Sequence, residues 1–162
     1  MSTPVTIRIQ AEDFDVSTEL KQLSTHDRTI GALVSFVGLV RDINEGQSIQ
    51  AMALGMTLEH YPGMTEKALH EIAQEAQQRW PLQGITIIHR IGDLMPSDQI
   101  VLVITASRHR HAAFESADFL MDFLKSKAPF WKKENTPEGS RWVDARESDE
   151  IALARWNNSH TL

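Results

Sequence analysis

The chain has 162 residues, 41% of them hydrophobic and 23% charged, and no cysteine. This suits one folded domain and excludes disulfides, thiolate nucleophiles, persulfide carriers and cysteine-bound metals. A net charge of −6 argues against general nucleic-acid binding, and the absence of a long apolar run or a signal-peptide layout at MSTPVTIRIQAEDFD argues for the cytosol.

In chain order, Val5 to Ile9 alternates like a strand, and Val16 to Leu23 suits a short helix. Gly31 to Val40, GALVSFVGLV, is apolar and β-branched enough for a buried strand, and RDINEGQS ends it in a polar turn. Met52, Leu54, Met56 and Leu58 recur at every second position, so a strand is expected there as a hairpin partner of the preceding one. Pro62 and Gly63 mark a turn. From Met64 to Trp80 the apolar residues Leu69, Ile72, Ala73, Ala76 and Trp80 recur at helical spacing, and Pro81 and Gly84 end that helix.

Ile85 to Ile88 reads as a strand, GDLMPSD as a turn, and Ile100 to Thr105 as a second buried strand. A second amphipathic helix is predicted over about 112–127, stopped by Pro129. Short strands are expected near Phe130–Lys132 and Trp142-Val143. The pattern argues for one α+β domain over 1–150, with a largely antiparallel sheet and two long amphipathic helices. A polar, partly disordered tail is expected over 151–162.

Charge is unevenly placed. Residues 108–146 hold eight basic side chains against six acidic ones, a local +2 that leaves −8 for the remainder. Within them Lys125, Lys127, Lys132 and Lys133 bracket Ala128-Pro129-Phe130-Trp131. Lys125 in a last helical turn suits a solvated lysine complementing the helix dipole. The crowding of four lysines around a chain break, beside an apolar wall, equally suits an anion site in which desolvation equips a lysine for proton transfer.

Ser107 to His111, SRHRH, falls at a strand end before a helix start, where backbone N–H groups attract anions and phosphate. His109 and His111 are a weak metal pair without a third ligand, and surface histidines are the plain alternative. Arg41 is either a strand-end charge or a side chain aimed into a cleft. Glu59-His60-Tyr61 offers an acid, a base and a hydroxyl, or simply a turn before a helix. No phosphate loop, dinucleotide fingerprint, G-x-S-x-G or H-E-x-x-H occurs.

The stretches FVGLVRD (36–42), LEHYPGMTEKAL (58–69), IHRIGDL (88–94), the pair His109-Arg110, FLKSKAPFWKKE (123–134) and TPEGSRWVDAR (136–146) together resemble the large, catalytic subunit of molybdopterin synthase. That resemblance implies an α+β, hammerhead-like fold and a homodimer. It implies that each large subunit receives the C-terminal tail of a small ubiquitin-like sulfur carrier, making a heterotetramer, and that no cofactor or metal is held. The tail ends in a glycine thiocarboxylate, and two sulfurs pass to cyclic pyranopterin monophosphate to form the dithiolene of molybdopterin. A chain without cysteine fits, because the sulfur arrives on the partner.

By motif, the resemblance makes Lys125 and Lys132 catalytic. Lys125 stands where carrier tail and substrate meet, and Lys132 is the second pocket lysine. Leu39, Val40, Arg41, Lys133, Glu134 and Arg146 join them in substrate binding, and His109 and Arg110 are contributed across the dimer interface. Ser97, where glycine is common, and Arg108 and His111, which flank the His-Arg pair, depart from the usual pattern. Two competing readings are a non-catalytic module that captures an acidic tail electrostatically, and a hydrolase of a phosphate ligand using His109 and Glu59.

Overall fold

The computed structural model describes residues 3–41, 55–136, 139–143 and 147–158. Two four-stranded sheets form within them. The first has strands β1 (Val5–Gln10), β2 (Ala32–Leu39), β4 (Leu82–Arg90) and β6 (Gln99–Ser107), in the order β1-β4-β6-β2. The second has β3 (Met56–His60), β5 (Gly92–Leu94), β7 (Phe130–Thr136) and β8 (Gly139–Val143), in the order β5-β3-β7-β8. All pairings are antiparallel except β1 with β4. The α+β class and the antiparallel bias are as expected, with two sheets in place of one.

Both faces of the first sheet are covered, so β4 is buried without alternation from Gly84 to His89, and β6 from Val101 to Ser107. On one face lies helix α1 (Val16–His26), whose Asp15 cap accepts from the Thr18 N–H at 3.0 Å. Leu23 of α1 packs there with Phe14, Ile88, Leu102 and Ile104. On the other face lie the two long helices, α2 (Met64–Arg79) and α3 (Arg110–Ser126). They bring Leu69, Ile72, Ala76, Ala117, Phe119 and Leu120 onto Ile85, Ile87, Val101 and Val103. Gly84 lies inside β4 rather than breaking the chain. A Cβ there would stand 2.6 Å from Leu23 Cδ2, so α1 comes close only because the residue is glycine.

The expected strand over 52–58 is corrected in its partner. Its described part, β3, lies between β5 and β7, and residues 42–54 lie outside the described set. Period-2 spacing identifies a strand but does not choose its neighbour. Here Met56 and Leu58 bury themselves against Val40 and Leu94, while β2 spends its hydrogen bonds on β6. The expected turn GDLMPSD is likewise part strand, since Gly92–Leu94 pairs with β3 before the chain turns at 95–98.

Of the expected tail over 151–162, residues 151–158 are described and are helical, and 159–162 lie outside the described set. Residues Glu147–Ala154 form helix α4, followed by a 3₁₀ turn over Arg155–Asn158. Trp156 is 9% exposed and sits edge-on to Trp80 and Phe119, with ring centroids 5.6 and 5.4 Å away. Its Nε1–H donates to Asp122 Oδ2 at 2.7 Å, and its carbonyl accepts from Arg79 at 2.9 Å. One aromatic in a largely polar segment is a faint signal, yet it buries a large ring in the main core.

Trp156→Ala is therefore expected to cost about 3–5 kcal/mol, and Trp156→Phe about 1–2 kcal/mol for the hydrogen bond lost at Asp122. Urea unfolding of the two variants checks this. A change below about 0.5 kcal/mol in Trp156→Ala would show that the C-terminal turn adds nothing to the core.

Candidate active site

The register of the first sheet decides which residues meet. Ile9, His89, Val101 and Gly38 form one row across β1, β4, β6 and β2. Leu39, Val40 and Arg41 follow Gly38 at this end of the sheet. β6 then runs away over nine residues to Ser107, and α3 runs back over seventeen. Lys125, in the last turn of α3, thus returns to the row that holds His89.

His89 shares a face with Ile85 and Ile87, the face that α2 and α3 cover. Its ring stacks on Phe130 at 3.9 Å and 18°. Phe130 begins β7, so this contact ties the second sheet to the first. The short connection from α3 to β7 is braced from both sides. The Lys127 and Ala128 N–H groups both donate to the Phe123 carbonyl, at 2.8 and 3.2 Å. The Thr65 hydroxyl donates to the Pro129 carbonyl at 2.8 Å and accepts from the Tyr61 N–H at 3.0 Å.

Strand alternation sorts the lysines. Phe130, Lys132 and Glu134 share the inner face of β7 with their partners His60, Leu58 and Met56 on β3. Lys132 Nζ lies 3.7 Å from Glu134 Oε1, and Glu134 is buried. Lys133 takes the outer face, 5.5 Å over the Trp142 ring. Lys127 lines a groove of about 360 Å³ between α2, α3 and the C-terminal turn, with Phe119, Phe123 and Trp156. The expected crowd of four lysines is therefore split three ways, because neighbours on a strand point oppositely and residues two apart on a helix lie about 200° apart. Lys125 and Lys132 remain on the His89–Phe130 side.

The other expected site residues fall as follows. Leu39 and Arg41 are exposed. Val40 is buried, its N–H donating to the Asp98 carbonyl at 2.9 Å and its carbonyl accepting from the Ser97 N–H at 2.8 Å. Ser97 has φ +78°, a left-handed conformation that glycine adopts without strain, so a glycine would suit this position. Arg146 lies outside the described residues.

His109 caps α3, with its N–H donating to Ser107 Oγ at 3.1 Å, and Arg110 opens the helix; both are exposed, as are Arg108 and His111. Fifteen residues of helix put Arg110 and Lys125 about 22 Å apart. A single chain does not bring His109 and Arg110 to the lysines. Nor does Glu59, on the outer face of β3 opposite Trp131, meet His109. Among the described residues no three His, Cys, Asp or Glu side chains gather as a metal site.

One residue not singled out in the sequence, His89, and one that was, His60, complete the inner face. His89 is 8% exposed, and its Nδ1 lies 2.8 Å from the Arg90 carbonyl oxygen. Burial pushes its pKa down to about 4 against the opposing pull of that carbonyl, and the charges of Lys125 and His60 lower it further. His60 Nε2 lies 3.8 Å from Glu66 Oε1, a buried oxygen that has no hydrogen-bond partner among the described residues. The usable signal for His89 was a lone histidine in step with Ile85 and Ile87 on one face of its strand.

An unfolded histidine takes its proton near 6.5, whereas His89 refuses one until about 4. Between those values the unfolded state binds more protons, so stability is complete above about pH 6.5 and falls by roughly 3 kcal/mol as pH drops through 4. His89→Gln is expected to flatten that part of the stability–pH curve relative to the parent. Parallel slopes for the two proteins in urea unfolding between pH 7 and pH 4 would contradict the assignment.

Residues 9–127 match the family model described as MoaE protein. The chain is 57% identical over 151 residues to the molybdopterin synthase catalytic subunit of Ralstonia nicotianae, covering 93% of this chain and 84% of that protein. It is 55% identical over 150 residues to that of Escherichia coli, covering 93% and 97%. Its fold superposes on the molybdopterin biosynthesis MoaE protein from Burkholderia ambifaria with a TM-score of 0.80, at 54% identity, over 96% of this chain and 99% of that one. The molybdopterin synthase structure from Staphylococcus aureus gives 0.72 at 31% identity, over 84% and 95%. With the described fold and these matches spanning nearly its whole length, the chain belongs to the MoaE family of molybdopterin synthase catalytic subunits.

Proposed function

We propose that this subunit transfers sulfur from the C-terminal thiocarboxylate of a small ubiquitin-like carrier to cyclic pyranopterin monophosphate. Two such transfers make the molybdopterin dithiolene. The observation that carries the reading is the placement of Lys125 and Lys132 on one side of the His89–Phe130 stack, in a chain that has no sulfur nucleophile of its own. Each transfer forms a carbon–sulfur bond at the pterin side chain and releases an oxygen that needs a proton. Water then cleaves the acyl–sulfur bond and returns the carrier as a carboxylate.

Lys125 is assigned the proton, or the stabilisation of charge at the reacting carbon. Lys132, held by Glu134, binds the anionic end of the carrier tail. Leu39 and Val40 set the strand end that aims Arg41, and Lys133, Glu134 and Arg146 complete the substrate contacts. His109 and Arg110 lie too far away to act in the same copy. They serve the pocket of a second copy, binding phosphate or pterin, which makes the homodimer a requirement of catalysis and the core of a heterotetramer. The Helicobacter pylori structure described as a complex of subunits 1 and 2 of molybdopterin-converting factor shares the fold, with a TM-score of 0.65 at 20% identity, and is in keeping with such an assembly. The reaction belongs in the cytosol and needs no cofactor of the subunit's own.

A single-turnover assay with thiocarboxylated carrier and cyclic pyranopterin monophosphate tests this. Lys125→Ala is expected to slow dithiolene formation by about 10²–10⁴-fold while carrier binding stays intact. Full activity in the folded variant would remove Lys125 from the chemistry. No product from either protein, with salt-sensitive carrier binding, would favour a docking module instead.

A further inference from the structure

We propose that His89 is a positioning residue for Lys125, its ring fixed between the Arg90 carbonyl and the Phe130 ring so that an unprotonated Nε2 accepts from the Lys125 ammonium. The inference rests on the proton-handling role proposed above for Lys125.

The tautomer follows from the partner. A carbonyl oxygen only accepts, so the 2.8 Å contact at Nδ1 requires the proton to sit there. A neutral ring has one N–H, and Nε2 is left with its lone pair. The stack on Phe130, 3.9 Å and 18°, fixes the plane of the ring and the direction of that lone pair. His89 lies on the sheet face that α3 covers, at the end to which α3 delivers Lys125.

The charged and titratable groups around the ring are few. Lys125 acts on it from α3 and His60 from β3, with Glu66 of α2 behind His60. Lys132 shares the face of Phe130 on β7. Its row neighbours on β1 and β6 are Ile9 and Val101, which do not ionise. The Arg90 guanidinium turns aside to the Ala11 and Gln99 carbonyls, each at 3.0 Å. Burial keeps the ring uncharged at neutral pH, and only the uncharged ring can accept from an ammonium. A lysine on a flexible four-carbon stem gains from such an acceptor a defined direction for the proton it gives up.

The test uses the full chain with thiocarboxylated carrier and cyclic pyranopterin monophosphate, comparing His89→Phe, which keeps the stack, with His89→Gln, which keeps an acceptor, and with Lys125→Ala. His89→Phe is expected to lower kcat by about 10–100-fold with KM changed by less than about two-fold. It is also expected to move the Lys125 titration, followed by NMR of labelled lysine side chains, to lower pH, because the ammonium loses its acceptor. His89→Gln is expected to stay within about three-fold of the parent. In the unaltered protein, nitrogen NMR is expected to report the Nδ1–H tautomer.

An Nε2–H tautomer would overturn the inference without any substitution, and so would an unmoved Lys125 titration or unchanged turnover in folded His89→Phe. Turnover retained by Lys125→Ala, with the titration still shifted in His89→Phe, would sink the role of Lys125 and support the contact itself.

Discussion

The ring of Phe130 lies 3.9 Å from the ring of His89, and through that stack the second sheet is fixed to the first. Only Ile91 separates β4 from β5, so the chain joins the sheets at a second point, and the Thr65 hydroxyl braces Pro129 beside the ring. The two sheets share no strand, and the small cluster of Val40, Met56, Leu58 and Leu94 only anchors the region around the β2 end. Because Phe130 begins β7, fixing its ring also fixes the phase of the strand. Lys132 and Glu134 must then fall on the inner face and Lys133 on the outer one. The same stack buries His89 in a row whose other members are Ile9, Val101 and Gly38. A charged ring there would cost free energy without a partner, so the fold selects the neutral form.

Element lengths impose the second constraint. β6 spans nine residues and α3 seventeen, so the chain travels the length of the first sheet and returns. Whatever stands at the turn between them, here His109 and Arg110, is held at the far end from Lys125. No local rearrangement closes about 22 Å of regular helix. A function that needs both sets of cations must therefore recruit one of them from another molecule. Under the proposed two-copy pocket the separation would be useful as well as limiting: lysines and arginines packed into one unliganded pocket would repel each other, whereas cations delivered by two copies would stay apart until the dimer forms.

Much of this was legible in the sequence. The helical spacing of Leu69, Ile72, Ala73 and Ala76 and the apolar runs at β4 and β6 placed the main layers. The KSKAPFWKKE stretch named the four lysines, of which Lys125 and Lys132 fall on the His89–Phe130 side. What escaped was relational. Alternation at Met56 and Leu58 marked a strand, but the partner was chosen by Val40 and Leu94, far along the chain. Trp156 looked like one aromatic in a polar tail, because its partners Trp80, Phe119 and Asp122 lie more than thirty residues away. For His89 the alternation with Ile85 and Ile87 marked an inward position, but its partner was hidden for the same reason. Inside IIHR nothing announces that its ring meets Phe130. Adjacency in sequence also misled at the lysines, where strand alternation and helix pitch sent Lys127 and Lys133 away from Lys125 and Lys132.

Dispersal of the lysines bears on how an acidic protein keeps a cationic site. Lys132 is neutralised locally by buried Glu134, and Lys133 rests over the Trp142 ring, where the quadrupole of an aromatic face favours a cation. Arg155 is engaged by Asp118 and Asp122 at 2.6 and 2.8 Å, close to the end of α3 that carries Lys125. Each of these cations is thus paired with a specific group, and the charge of Lys125 is felt by a ring that cannot itself become charged at neutral pH. An anionic ligand entering this end of the sheet, as proposed, would meet lysines held at defined places by neutral or oppositely charged neighbours. Their order comes from strand phase, one aromatic stack and a buried carboxylate, not from mutual repulsion relieved by the ligand.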